Sequence, residues 1–190
     1  FPEIENAIES IKADRFVLDG EIVIPSGSSL SFDKLLQRIH PAERRVRKLS
    51  VQTPGLFIVF DLLAENGKSL IEQPLSARRE QLVKFAKKNF KVNHTLHLSP
   101  ATHSYSIARK WFSMVGGALD GIIAKHLEMP YQSGNRHGMV KVKKMRTADC
   151  VVGGFRYAEK SKIVGSLLLG LYNDQGLLDH VGFCSSFTAT

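Results

Sequence analysis

Between Gly55 and Leu63 the chain reads Gly-Leu-Phe-Ile-Val-Phe-Asp-Leu-Leu, a run with a single charged residue. A segment this apolar has no polar face to turn to water, so it predicts a strand covered on both sides, at the centre of a sheet. Asn66-Gly67 then turns the chain. Phe60 has two readings here: a core residue, or an aromatic surface on which a base stacks.

Shorter patterns interleave around this strand. Glu3 to Lys12 carries Ile4, Ala7, Ile8 and Ile11 at helical spacing. Arg15 to Pro25 reads as a strand stopped by proline, with Asp19 and Glu21 on the face of Val17 and Val23, and Leu18, Ile22 and Ile24 on the other. Two carboxylates at i and i+2 in an apolar strand form an exposed acidic edge, or else take a cation, a hydroxyl or backbone donors. Ser31 is the N-cap expected for a helix with Phe32, Leu35, Leu36 and Ile39 on one side. Pro41 to Lys48 opens a second short helix bearing Arg44, Arg45, Arg47 and Lys48, a solvated face or a contact for a nucleic-acid backbone.

A helix begins at Pro74 and Ser76 with Leu82, Val83 and Ala86 inward and a basic outer face. A short strand follows at Thr95 to Leu98, and then a helix with Ile107, Ala108, Trp111, Phe112 and Val115 on one side, ended by Gly116-Gly117. Trp111 is expected in the core. The seven histidines show no metal-ligand spacing.

Leu119 to Arg146 carries the densest chemistry. Leu-Asp-Gly-Ile-Ile-Ala-Lys125 predicts a buried strand beginning on Asp120. After a polar loop, Met-Val-Lys-Val-Lys143 alternates, so Lys141 and Lys143 share one face and Val140 and Val142 the other. Two ammonium groups side by side repel unless an anion sits between or above them. Aimed into a cleft they suit a phosphate; aimed at water they are a solvated strand face.

With 26 basic and 18 acidic residues, net +8, the chain attracts polyanions such as nucleic acid. Cys150 and Cys184 are too few for a disulfide framework or a cysteine metal site, which predicts a reducing compartment. No apolar stretch approaches the roughly 20 residues of a membrane helix. The start at Phe1-Pro2-Glu3 reads as that of a fragment.

After Thr147 the pattern becomes all-β: Asp149 to Arg156, Val164 to Tyr172 and Leu177 to Cys184, with Asn173-Asp-Gln-Gly176 as a hairpin turn. Gly153-Gly154 suits a bulge or bend in a small barrel. The expected domains are 1–147, α+β in class, and 148–190.

Leu18-Asp-Gly-Glu-Ile-Val23, Phe57-Ile-Val-Phe-Asp-Leu62, Asp120-Gly-Ile-Ile-Ala-Lys125 and Lys141-Val-Lys143 stand in an order that resembles the later motifs of the covalent nucleotidyltransferases. That superfamily comprises ATP-dependent DNA ligases, RNA ligases and mRNA capping enzymes. Leu36-Gln-Arg-Ile-His-Pro41, and Arg146 to Gly154 leading into Val164 to Tyr172, are similar to the small bacterial C-class ATP-dependent DNA ligases and the ligase domain of bacterial end-joining enzymes.

The resemblance implies an antiparallel-rich, ATP-grasp-like adenylation domain, truncated at its N-terminus. The first strands of an oligonucleotide-binding (OB) barrel would follow it. It implies ATP and Mg²⁺ or another divalent cation as cofactors, and nicked double-stranded DNA as partner, with other repair proteins possible. A bacterial cytoplasmic, nucleoid-associated location in DNA repair, recombination or replication goes with it.

By motif position, Glu21 would bind the ribose hydroxyl or support the metal, and Phe60 would stack on adenine. Asp120 would bind the metal, and Lys125, Lys141 and Lys143 would line the nucleotide, the last two neutralising phosphate charge during transfer. Arg44, Arg45 and Arg136 are the candidates for DNA contact.

Two departures stand out. The family usually has Glu where Asp120 stands, and no Lys-x-Asp-Gly, the family's nucleophile motif, precedes Glu21. Lys12-Ala-Asp-Arg15 has Arg where Gly belongs. An activated lysine is indispensable to the covalent route, so this stretch alone is expected to be inactive. A non-catalytic nucleotide- or DNA-binding module, or an RNA ligase or capping-type enzyme, is the alternative.

Overall fold

The computed structural model describes residues 1–27, 29–90, 94–115, 119–145, 147–185 and 187. In chain order its elements are α1 (Pro2–Glu9), β1 (Phe16–Val23), β2 (Pro25–Ser26), β3 (Ser29–Leu30), α2 (Phe32–Arg38), α3 (Glu43–Gln52), β4 (Leu56–Glu65) and β5 (Lys68–Ser69). There follow α4 (Leu75–Asn89), β6 (Leu96–Leu98), α5 (Tyr105–Ser113), β7 (Gly121–Lys125), β8 (Met139–Lys143), β9 (Val151–Tyr157), β10 (Val164–Tyr172) and β11 (Leu178–Ser185). The chain forms two compact units, Phe1–Lys144 and Met145–Thr190, a division three residues before the expected one.

In the first unit β4 is the central strand that its composition demands. β1 runs antiparallel along one edge. The other edge takes β5 antiparallel and β6 parallel. Asn66 and Gly67, both at positive φ (51° and 76°), make the β4–β5 turn. α4 packs on this sheet, and Val59, Leu62, Leu82, Phe85 and Leu96 form the heart of the core. The Phe85 ring lies 5.2 Å from Phe16 and 6.0 Å from Phe90. Truncating a side chain as enclosed as Leu82 to alanine costs about 2–5 kcal/mol.

The helical layer departs from its periodicity. Ser31 caps α2 as expected, its Oγ accepting from the Lys34 N–H at 3.3 Å. Yet Phe32, Leu36 and Ile39 are exposed, and the buried residue of α2 is Arg38. Its guanidinium grips both Glu3 carboxylate oxygens, at 2.7 and 2.9 Å, and donates to the Thr53 carbonyl at 2.7 Å. The Gly55 N–H donates to the same carboxylate at 2.8 Å. Burial pulls the Glu3 carboxyl up, but the Arg38 and Gly55 donors outweigh it and hold it below the usual range. A buried charged fork must keep its partner, and that requirement turns the helix against its apolar pattern.

Further corrections concern α5 and the lysine-bearing strands. Trp111 is half-buried and outside the core cluster, and Ile107 is exposed. β7 is not a buried strand: Gly121 and Ile122 are half-buried and its last three residues are exposed. β8 is exposed along its whole length. Gly116, Gly117 and Arg146 lie outside the described residues.

The second unit is an antiparallel sheet in the order β11-β10-β9. Leu168 pairs with Gly154 and Leu169 with Val152, so Gly153 is the extra residue of a bulge, as its glycine pair suggested. The Asn173 carbonyl accepts from the Gly176 N–H at 2.9 Å in the β10–β11 turn. Among the described residues, no helix is long and apolar enough to cross a membrane.

Candidate functional site

β7 and β8 form a two-stranded antiparallel ribbon in which Gly121 pairs with Lys143, Ile123 with Lys141, and Lys125 with Met139. Cross-strand partners share a face, so Lys125, Lys141 and Lys143 all stand on one side of the ribbon. A Cβ at Gly121 would overlap the Val142 carbonyl, so only glycine after Asp120 lets the two strands meet here. Asp120 sits at the ribbon's end, where its carbonyl accepts from the Lys144 N–H at 3.2 Å. Its Oδ2 takes the Lys141 ammonium at 3.0 Å and the Lys143 ammonium at 3.8 Å. The Lys141 hydrogen bond, with the charges of both lysines behind it, holds the Asp120 carboxyl below the usual carboxylate range.

Phe60 owes its placement to a bulge. Asp19 pairs with Asp61 and Gly20 with Val59, so Phe60 is left without a partner on β1. Val59, Asp61 and Leu62 are buried, whereas Phe60 among them is only half-buried and lies outside the core cluster. Bulges re-aim side chains in this way. The core reading of Phe60 therefore gives way: its ring meets the Lys125 ammonium, 4.5 Å from the centroid. Lys125 is exposed as a residue, but desolvation of its ammonium end lowers it from its ordinary value, Asp61 and Asp19 push it partly back, and Arg78 and Arg79 add to the lowering.

Beside this pair lies a polar cluster in which residue patterns had singled out only Asp19. Asp61 and Arg78 form a buried two-pronged ion pair, Nε to Oδ1 and Nη2 to Oδ2 both at 2.9 Å. The Tyr131 hydroxyl donates to Asp19 Oδ2 at 2.9 Å, the hydroxyl partner that the acidic strand face called for. Burial and that carboxylate raise the Tyr131 phenol above its ordinary value. Arg79 is held through Ser99, with Nη1 donating to its Oγ at 3.0 Å and Nη2 to its carbonyl.

The predicted residues thus fall into linked sets. Asp120, Lys141 and Lys143 meet directly. Lys125 and Phe60 meet, and Lys125 shares its face with the other lysines. Glu21 is exposed on the β1 face that carries Asp19, and among the described residues no hydrogen bond or ion pair joins it to either set. Arg44, Arg45 and Arg136 are exposed, the first two on α3 and the third in the loop before β8.

An aromatic ring beside a line of three ammonium groups is a surface for a planar group that carries phosphate. Residues 1–143 match the family model described as "ATP dependent DNA ligase domain". The chain belongs to this ATP-dependent DNA ligase family.

Among ligases that it resembles, DNA ligase C of Mycobacterium tuberculosis is 45% identical over 98% of this chain and 53% of the relative. DNA ligase C1 of Mycolicibacterium smegmatis is 41% identical over 100% of this chain and 54% of the relative. The chain thus spans about half the length of these curated relatives. A solved structure titled "mycobacterial DNA ligase D complexed with ATP and MES" is 28% identical with a TM-score of 0.51, over 90% of this chain and 50% of that one. The α+β fold, with its antiparallel sheets, is the nucleotidyltransferase fold expected from the sequence.

Proposed function

We propose that this chain supplies the nucleotide-binding face of an enzyme that seals nicks in duplex DNA through enzyme–AMP and DNA-adenylate intermediates. The observation that carries the reading is the shared ribbon face of Lys125, Lys141 and Lys143, with Asp120 at one end and the Phe60 ring at the other. In this chemistry a lysine attacks the ATP α-phosphate and releases pyrophosphate. The AMP passes to a 5′-phosphate, and a 3′-hydroxyl then displaces it. Each step moves a phosphoryl group between oxygen or nitrogen partners, so fixed positive charge around its oxygens is what the protein contributes.

Phe60 stacks the adenine, Lys125 holds the nucleotide, and Lys141 and Lys143 neutralise the phosphate. In the absence of substrate Asp120 offsets the repulsion between those two ammonium groups; a phosphate would take over that role and free the carboxylate. Mg²⁺ binds through one or two carboxylates, with phosphate oxygens and water completing its shell. Among the described residues no group of three or more His, Cys, Asp or Glu comes together. The exposed, ionised Asp120 fits the single-carboxylate role, in which the ion would neutralise phosphate charge. Glu21 is assigned to the ribose hydroxyl, or to support of the metal.

Arg44, Arg45 and Arg136 contact the DNA backbone in this reading. β9–β11 are the opening strands of an OB barrel, and the enzyme works on the bacterial chromosome in the cytoplasm. The attacking lysine is no residue of this sequence, which holds no Lys-x-Asp-Gly. The test therefore uses the complete protein, ATP, Mg²⁺ and a nicked duplex: sealing with an enzyme–AMP intermediate is expected. Absence of both would overturn the reading, and preference for a nicked RNA strand would move it to the RNA ligases.

A further inference from the structure

The loop that leaves β7 is fastened at every second residue. The Leu127 carbonyl accepts from the Ser76 N–H at 2.9 Å, and the Met129 carbonyl from the Leu75 N–H at 3.0 Å. The Tyr131 N–H donates to the Ile71 carbonyl at 2.8 Å. Two of these donors belong to the first turn of α4, whose N–H groups have no partner within the helix.

One side chain joins this seam to the central strand. While its Nε and Nη2 hold Asp61, Arg78 Nη1 donates to the Gln73 carbonyl at 2.6 Å and reaches the Met129 carbonyl at 3.4 Å. Its guanidinium also lies 5.7 Å from the Tyr131 ring centroid, and Tyr131 in turn bonds Asp19 on β1. Asp61 is fixed further by the Leu62 N–H at 2.9 Å. Asp61 directly follows Phe60, and Lys125 directly precedes the fastened loop.

We infer that Arg78 is a positioning residue: by clamping Asp61 and the Met129 carbonyl with one planar fork, it fixes the ribbon so that Lys125 stands over the Phe60 ring. The inference rests on the adenylate reading above for its consequence, though not for its geometry. A guanidinium can serve the carboxylate and the carbonyl together, whereas a lysine ammonium offers a single point charge that keeps the pair and loses the fork. Arg78→Lys therefore separates the clamp from mere charge burial.

The test uses the complete protein with its lysines converted to ¹³C-dimethyl-lysine, which remain cationic. Lys125→Arg assigns the Lys125 signal. In the wild type that signal is displaced by the Phe60 ring current. In Arg78→Lys it moves to the position of exposed lysines such as Lys84, the other lysine signals stay in place, and the ATP KM of the unmodified variant rises at least fivefold. Tyr131→Phe removes the outer hydroxyl tie from a half-buried residue and moves the same two readouts in the same direction by less. If Arg78→Lys does not fold, Tyr131→Phe decides alone. An unmoved Lys125 signal and unchanged KM in a folded variant overturn the inference and leave the ion pair a core strut. A Lys125 signal that shifts in Arg78→Lys, while the unmodified wild-type protein forms no enzyme–AMP, supports the clamp and overturns the ligase reading.

Discussion

Asp61 and Asp120 each face cations at hydrogen-bond distance, and there the likeness ends. The Asp61–Arg78 pair is enclosed, with side-chain exposures of 2% and 3%, and both oxygens are engaged. The Asp120 pairs are open, at 61% for the carboxylate and 45% and 52% for Lys141 and Lys143, and a single oxygen serves both lysines. Removing one partner from an enclosed pair strands a charge away from water, which is expensive. Water competes for an open pair at every moment, so it adds little to the fold. The first arrangement builds a scaffold; the second keeps three charges available to whatever arrives.

The contrast breaks most visibly under substitution of the scaffold. Asp61→Asn or Arg78→Met is expected to cost about 3–5 kcal/mol of stability. Calorimetry should register this as roughly 2–4 °C of Tm per kcal/mol in a chain of this size. A Tm within 1–2 °C of wild type would erase the distinction.

On the open side the sign of the experiment reverses. Lys141→Ala and Lys143→Ala in the complete protein should leave Tm unchanged while slowing adenylate transfer by about 10²–10³-fold, some 2.7–4 kcal/mol of barrier. Single-turnover transfer to a 5′-phosphorylated nick measures it. Near-normal rates in either variant would remove that lysine from the phosphate.

Phe60 lies between the two regimes and sharpens the line. Phe60→Ala is expected to raise the ATP KM by about tenfold, within the roughly 1–3 kcal/mol of a base–aromatic stack. The loss of Tm should stay below that of a core phenylalanine, whose truncation costs about 3–5 kcal/mol. A large Tm loss with KM unchanged would return Phe60 to the core.

The second enclosed pair, Glu3 with Arg38, adds a dependence on pH. Its folded carboxyl titrates below the ordinary value of 4.5, so the pair stabilises fully above that pH and the contribution disappears as pH falls through the lower folded value. Glu3→Gln should lower Tm near neutrality and flatten its acid dependence below about pH 5. Parallel Tm–pH curves for the two proteins would contradict this.

Local chemistry made much of this legible. Apolar run length marked β4, Asn66-Gly67 its turn, Gly153-Gly154 the bulge in β9, and alternation placed Lys141 and Lys143 on one face. What stayed hidden depends on partners distant in sequence. Arg38 reverses the burial of α2 because Glu3, 35 residues away, receives it. Tyr131 and Asp19 are 112 residues apart. The bulge that re-aims Phe60 lies in the register between β1 and β4, which neither strand announces alone. Arg78 looked like one more charge on a basic helix, yet its burial opposite Asp61 is the signal that singles it out.

The account stands on an adenylate lying against the face of Lys125, Lys141 and Lys143, and protection from an amine-modifying reagent reads that contact directly. ATP added to the complete protein should shield these three lysines and leave Lys84, Lys87 and Lys88, on the exposed side of α4, labelled as before. Equal labelling of both groups with and without ATP, in protein that binds it, would place the nucleotide elsewhere.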